Sequence, residues 1–566
     1  MQDGPRFSDL PFTTPNTSEL SRQSEDLLSA WEAAGDASAQ LAVIESWDRE
    51  EAQFYTLRSL ASIHFAQDAT SASAKETKAT FDRMAPEAQE HRLRFLKAVI
   101  ESPHRSALET RLGQHALALW QLEQVVYEPV IAEDRRHEAE LETRYDELRA
   151  RVRIEYGGTE YTLSTIRALF GNPDRQVRLG AQRAQDAALG REVGALDEIY
   201  GELVGVRHRM ARALGHESFI PLAYARMGRT DWGPTEAAAF RRQVEEVVVP
   251  LTTRARERQA RALGVTDYGF HDESVRDKLG VPHPAGDHDW MVERAQEMFD
   301  TLGEDFGSFF RMLRQRDLLD LKSRDGKVGG GFCDFLGRDG IPFIFANFNG
   351  TQDDVTVFTH EIGHAFQSYT ASAHPLSDYV WPTAEAGEIH SMSFEFLTWP
   401  FMESFFGEQA DRFRQGHLES SLLFLPYGTA VDEFQHLVFS DPDATAARRA
   451  EMWQEVERRY LPTRRYDNMP TYESGRFWQR QSHIYTDPFY YLDYCLALVC
   501  SFQLWDLAER DREAALVLYR RLCTIGGSLS FTEILAEAGL RSPFDPGVLE
   551  DVLAPVAASL ELATGN

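Results

Sequence analysis

Asp353-Asp354-Val355-Thr356-Val357-Phe358-Thr359-His360-Glu361-Ile362-Gly363-His364-Ala365-Phe366-Gln367 is the stretch around which the chain is organised. Val355, Phe358, Ile362 and Phe366 recur at helical spacing, so the stretch reads as a helix with a buried stripe. Thr351, followed three residues later by Asp354, has the form of a capping box, and Asp353 suits the positive end of a helix. On such a helix His360 and His364 differ by about 40° around the axis, and their imidazoles can meet at one metal ion. Glu361 lies about 100° from His360 and about 60° from His364, so it borders the same face. A carboxylate there can touch a metal-bound water without ligating the metal. Two neutral imidazoles, a carboxylate and an open position are what a catalytic zinc ion takes.

The third ligand is sought downstream. A loop from His374-Pro375 to Trp381-Pro382 leads to a second predicted helix that begins near Thr383 and carries Glu385, Glu388 and Glu395. A layout with a third histidine six residues after the box would use position 370, which is Thr370, and is excluded. A glutamate on the following helix fits, with Glu388 and Glu395 on one face; spacing alone leaves Glu385 and Glu388 open. Upstream, Gly329–Phe335 and Pro342–Asn349 are extended runs joined by Arg338-Asp339-Gly340, which predicts a hairpin. Its second run feeds into the box helix, so this strand lies beside the site. Either its edge pairs with an extended peptide, with Phe345, Ala346 and Asn347 as contacts, or it is a small supporting sheet.

The 566 residues are 43% hydrophobic and 26% charged, a globular composition with room for a large core. The net charge of −30 repels phosphate backbones and argues against nucleic acid as a partner. Four cysteines, Cys333, Cys495, Cys500 and Cys523, show no zinc-type pairing and read as reduced thiols, which with a polar N-terminus predicts a cytoplasmic protein. No run of apolar residues is long enough to span a membrane. Residues 1 to about 20 read as an extended arm. Apolar stripes then predict helices as far as Arg153: Leu27, Leu28 and Trp31; Leu41, Ile44 and Trp47; Leu93, Leu96 and Val99; Leu112, Leu119, Leu122 and Val126. A Gly157-Gly158 hairpin suggests a boundary between an N-terminal helical region, 1–154, and a catalytic region, 155–566. Near the C-terminus, Ser482 to Tyr494 packs one histidine and four tyrosines together. These are aromatic core residues or hydrogen-bond donors aimed at a developing oxyanion.

Taken together, Pro342–Gly350, His360–Gln367, Glu388-Ile389-His390-Ser391-Met392-Ser393-Phe394-Glu395, His483–Tyr494 and Ala538–Phe544 resemble the thimet oligopeptidase and oligoendopeptidase F family of zinc peptidases. The resemblance is closest to the bacterial Pz-peptidase branch, which cleaves collagen-derived peptides. It implies that Glu388 is the third zinc ligand, beside His360 and His364, and that Glu395 orients a histidine. It also implies that His483 and Tyr494 are transition-state donors. Where thimet-like members have their first tyrosine this chain has Pro488, so Tyr485 and Tyr490 are the candidates for that role, and Tyr491 is a candidate substrate contact. The implied fold is mainly α, a large helical ellipsoid with a deep substrate channel, the box helix on its floor and a small sheet beside it. The expected activity is hydrolysis of internal bonds of short peptides, Gly-Pro-containing ones among them, with one zinc ion per chain and Glu361 as general base, in a monomer or weak oligomer. Two rival readings are an exopeptidase on the same zinc chemistry and a non-catalytic peptide-binding protein with a structural metal.

Overall fold

Tryptophan and leucine stripes build the first layers. In a computed structural model, which describes residues 4–562, helices Thr17–Ala33, Ala37–Gln67 and Ala72–Ile100 start on Asn16, Asp36 and Ser71, whose side chains accept backbone N–H bonds. Their stripes meet in one cluster containing Trp31, Ile44, Trp47, Phe95, Leu96 and Val99. The next stripe is phased differently from the expectation. Gly113, at φ 98°, ends helix Arg105–Leu112, and the new helix Gln114–Val126 buries Ala116, Leu117 and Trp120 instead of Leu119 and Leu122. The N-terminal arm is anchored rather than free: Phe7 is buried and donates its N–H to the Arg316 carbonyl at 2.8 Å. The first three residues of that arm lie outside the described residues.

Of the described residues 71% are helical, with small sheets, as the periodicity predicts. It forms two compact units from interleaved stretches. The first takes the described residues up to Val125, Pro284–Gly407 and Leu507–Gly539. The second takes Val126–His283, Glu408–Asp506 and the described residues from Leu540. The Gly-Gly hairpin, Ile154–Tyr156 paired antiparallel with Thr159–Tyr161, lies inside the second unit. Among the described residues no helix is long and apolar enough to cross a membrane.

The first unit holds the predicted hairpin, Phe332–Leu336 antiparallel to Ile341–Phe348, with Gly340 at φ 64° in its turn. A third strand, Leu319–Lys322, pairs parallel to the other side of Ile341–Phe348. Four residues are too few for an alternation pattern to stand out in the sequence. Ile341–Phe348 is therefore the central strand, and Phe332–Leu336 is an outer one.

The box helix runs from Gln352 to Ala371, and Val355, Phe358, Ile362 and Phe366 are all buried on it. Its cap differs from the expected box. The Thr351 side chain makes no capping bond; instead the Asp354 carboxylate reaches back to the N–H groups of Asn349 (3.0 Å) and Gly350 (2.7 Å). This ties the helix start to the end of the central strand. The following helix, Ala384–Leu397, packs against the box helix at unusually short range. A Cβ on Gly363 would lie 2.8 Å from the Ser391 Cα and 2.9 Å from the His390 carbonyl oxygen. Beneath them Phe306, Phe366, Phe394 and Tyr519 form an aromatic floor, with ring centres 4.3 Å apart for Phe306–Phe366 and 5.2 Å for Phe394–Tyr519.

Because a Cβ on Gly363 would meet the backbone of Ser391 and His390 and the Phe394 Cβ, none of which is the end of a flexible side chain, Gly363→Ala is expected to destabilise the fold by about 1–3 kcal/mol through overpacking. Denaturant unfolding followed by tryptophan fluorescence checks this; an unchanged midpoint would show that the two helices separate without cost.

Candidate metal centre

His360 and His364 project from one face of the box helix, with rings 4.9 Å apart and crossed at 81°. The facing helix presents Glu388, whose Oε2 lies 3.3 Å from His360 Nε2 and 3.5 Å from His364 Nε2. Of the two glutamates that spacing left open, Glu388 is the one that joins the histidines, with donor atoms all within 4.8 Å of one another. Ser391 holds it in place by donating to Glu388 Oε2 at 2.9 Å and to the Glu388 carbonyl at 3.1 Å. Glu395, two turns on, bonds His360 Nδ1 at 2.7 Å. That carboxylate takes the Nδ1–H and leaves Nε2 for a metal. Two imidazoles and one carboxylate fit zinc with an open fourth position, so the donor set matches the expected ion.

The electrostatics agree. Burial favours a neutral His360, but Glu388 and Glu395 lift its pKa well above the usual histidine value. Burial also opposes ionised Glu388, yet His364 and His360 hold its carboxyl well below the usual range. The two acids call for a cation between the imidazoles, and loading a metal ion there displaces the imidazole proton. Glu361 is a different kind of acid: burial pushes its pKa up, and the two histidines oppose that only partly. It is 8% exposed. A Cβ on Gly331 would lie 3.6 Å from its Oε1, so the outer strand passes directly beside this carboxylate.

In the second unit, His483 is surrounded by tyrosine rings, with centres 5.8 Å away for Tyr490, 5.1 Å for Tyr491 and 5.9 Å for Tyr494. Its Nδ1 lies 2.7 Å from Gln481 Nε2, and the Gln481 oxygen accepts from the Tyr427 hydroxyl at 3.1 Å. With the amide so oriented, Nδ1 is the acceptor and the neutral ring carries its proton on Nε2, as a donor.

Residues 168–552 match the model for peptidase family M3, and residues 7–127 match the Peptidase M3 N-terminal domain. The chain belongs to peptidase family M3. It is a peptide hydrolase. This M3 peptidase is similar over 99% of its length, and 99% of theirs, to three solved structures. One is described as oligoendopeptidase F (41% identity, TM-score 0.95). The others are PZ peptidase A with an inhibitor (39%, 0.95) and an oligoendopeptidase F assigned in Bacillus anthracis (38%, 0.91). No curated protein matches the chain.

Two groups of expected site residues of this M3 peptidase sit elsewhere than predicted. Tyr485 is fully buried, stacked 3.9 Å from the Tyr145 ring, and its hydroxyl donates to the Leu196 carbonyl at 3.4 Å, so it is a core aromatic. Phe345 and Ala346 are fully buried in the central strand, whose two sides are already paired. Asn347 spends its amide on the carbonyls of Val328 and Gly330, both at 2.8 Å. The outer strand of the sheet is Phe332–Leu336, and Gly329-Gly330-Gly331 leads into it. Gln481 carries no signal in its neighbourhood.

Glu395→Ala is expected to weaken metal binding by about 10–100-fold without unfolding the chain. Competition with a chromogenic chelator measures it; unchanged affinity would mean that the bond to His360 does not orient the ligand.

Proposed function

We propose that the protein is a zinc-dependent endopeptidase that hydrolyses internal bonds of short oligopeptides. The observation that carries this is the triplet His360, His364 and Glu388 with the buried Glu361 beside it. Bound there, zinc supplies Lewis acidity that activates a water and polarises the scissile carbonyl. Glu361, whose pKa burial raises, takes the water proton as the carbonyl is attacked and passes it to the leaving amine. The peptide adds as a further strand to the outer strand Phe332–Leu336, which sets its backbone along the Glu361 carboxylate. We assign His483 Nε2–H and the Tyr494 hydroxyl as donors to the tetrahedral oxyanion, with the Tyr490 and Tyr491 rings packed around His483. The oligoendopeptidase relatives support an oligopeptide substrate, and the resemblance of the sequence motifs to the Pz-peptidase branch makes Gly-Pro peptides the first to test.

The test is an internally quenched peptide of about ten residues, capped at both ends. Internal cleavage that stops with chelator and returns with zinc is expected. A capped peptide left intact while its uncapped form is trimmed would indicate an exopeptidase, and zinc-loaded protein inert on both would indicate a binding protein. Glu361→Gln is expected to keep its zinc and lose about 10²–10⁴-fold in kcat. A zinc-loaded variant with near-native turnover would remove Glu361 from the proton-transfer role.

A further inference from the structure

The segment that carries His483 and Tyr494 is only partly helical. Ser482–Thr486 is one short helix, and another starts at Tyr491. Between them the backbone turns through Phe489 at φ 70°. A bulky residue adopts that left-handed conformation only where its surroundings impose it. Here they do so from both sides of the residue. The Phe489 N–H donates to Gln435 Oε1 at 3.0 Å. Its carbonyl accepts from Arg229 Nη2 at 2.9 Å, and the same nitrogen donates to Asp493 Oδ1 at 2.6 Å. The Arg229 and Asp493 side chains have no exposed surface. The guanidinium lies 4.3 Å from the Tyr224 ring centre and 4.2 Å from that of Trp232.

Apolar residues of similar volume often replace a buried ion pair without loss of stability, so stability alone is a weak reason for this one. What a guanidinium adds is direction. This one grips the residue just before Tyr490 and the residue just before Tyr494 with one nitrogen. It thereby links the strained turn to the first turn of the helix that bears the Tyr494 hydroxyl.

We propose that Arg229 is a positioning residue for peptide hydrolysis: by clamping Phe489 and Asp493 it sets the directions in which Tyr490 and Tyr494 project beside His483. This rests on the reading of His483 and Tyr494 as oxyanion donors. A positioning role acts on the transition state, so it appears in kcat and depends on the donors being present.

The experiment is a double-mutant cycle between Arg229→Met and His483→Ala on the zinc-loaded full chain, with kcat, KM and zinc content measured for each variant. Arg229→Met is expected to lower kcat by about 10²-fold, the scale of a lost oxyanion donor, with KM little changed and zinc content intact. Arg229→Lys recovers part of the loss. In the His483→Ala background the same change costs several-fold less, because the group it positions is already incomplete. Full additivity with a slow His483→Ala overturns the clamp and leaves the donor reading standing. A fall in kcat that only tracks the folded fraction also overturns it. A near-native His483→Ala overturns the donor reading, and the clamp with it. If Arg229→Met does not fold, Arg229→Lys and Asp493→Asn carry the same cycle with the same criteria.

Discussion

Two helices can share one metal ion only if a short carboxylate side chain can cross the gap between them, and the contact of Gly363 with Ser391 makes that possible. Ordinary helix pairs stand 8–10 Å apart, set by the side chains at their contact. Here the contact on one side has no side chain: a Cβ on Gly363 would sit 2.8 Å from the Ser391 Cα. Gly363 lies between the two histidines in sequence, and Ser391 lies between Glu388 and Glu395. The point of closest approach thus lies among the metal-site residues on both helices. Ser391 is used twice, since its backbone abuts the glycine while its hydroxyl holds Glu388 at 2.9 Å.

The rest of the first unit keeps that contact in place. The aromatic floor of Phe306, Phe366, Phe394 and Tyr519 supports both helices from below. Asp354 fastens the start of the box helix to the end of the central strand, which fixes the sheet relative to the ligands. The sheet then brings the start of its outer strand, at Gly331, next to Glu361. The second unit positions its His483 segment by other means. Arg207, with no exposed side-chain surface, donates to the Tyr485 carbonyl at 2.5 Å and pairs with Glu138, which is held down to about 2 by its arginines against burial. Arg229 does the corresponding work at Phe489. Where the metal centre relies on close packing, the His483 segment relies on buried directional bonds.

Much of this was legible from residue types and spacing, and the limits have physical causes. The box helix, the shared face of His360 and His364 and the second helix follow from helical periodicity alone, because a period of 3.6 places side chains without any tertiary information. Glu388 could be separated from Glu385 only by resemblance or by structure, since both lie on the right helix and differ by one turn. The strand Leu319–Lys322 was invisible because four residues cannot display a period, and its absence made Ile341–Phe348 look like an edge. That one omission moved the expected peptide contacts onto Phe345, Ala346 and Asn347. Tyr485 was misassigned for a related reason: a tyrosine in an aromatic run reads the same whether its hydroxyl meets substrate or, as here, a buried carbonyl. The roles of Gly363 and Arg229 depend on what faces them across the fold, which no local pattern encodes.

The central claim is that two close-packed helices supply two imidazoles and one carboxylate to a zinc ion that keeps an open position. X-ray absorption at the zinc edge of the loaded protein tests it most directly. The account predicts one zinc per chain with a shell of nitrogen and oxygen only, at about 2.0–2.2 Å, two of the ligands showing imidazole scattering and one oxygen exchangeable with solvent. A sulfur ligand near about 2.3 Å, or a shell closed by four protein ligands, would contradict it.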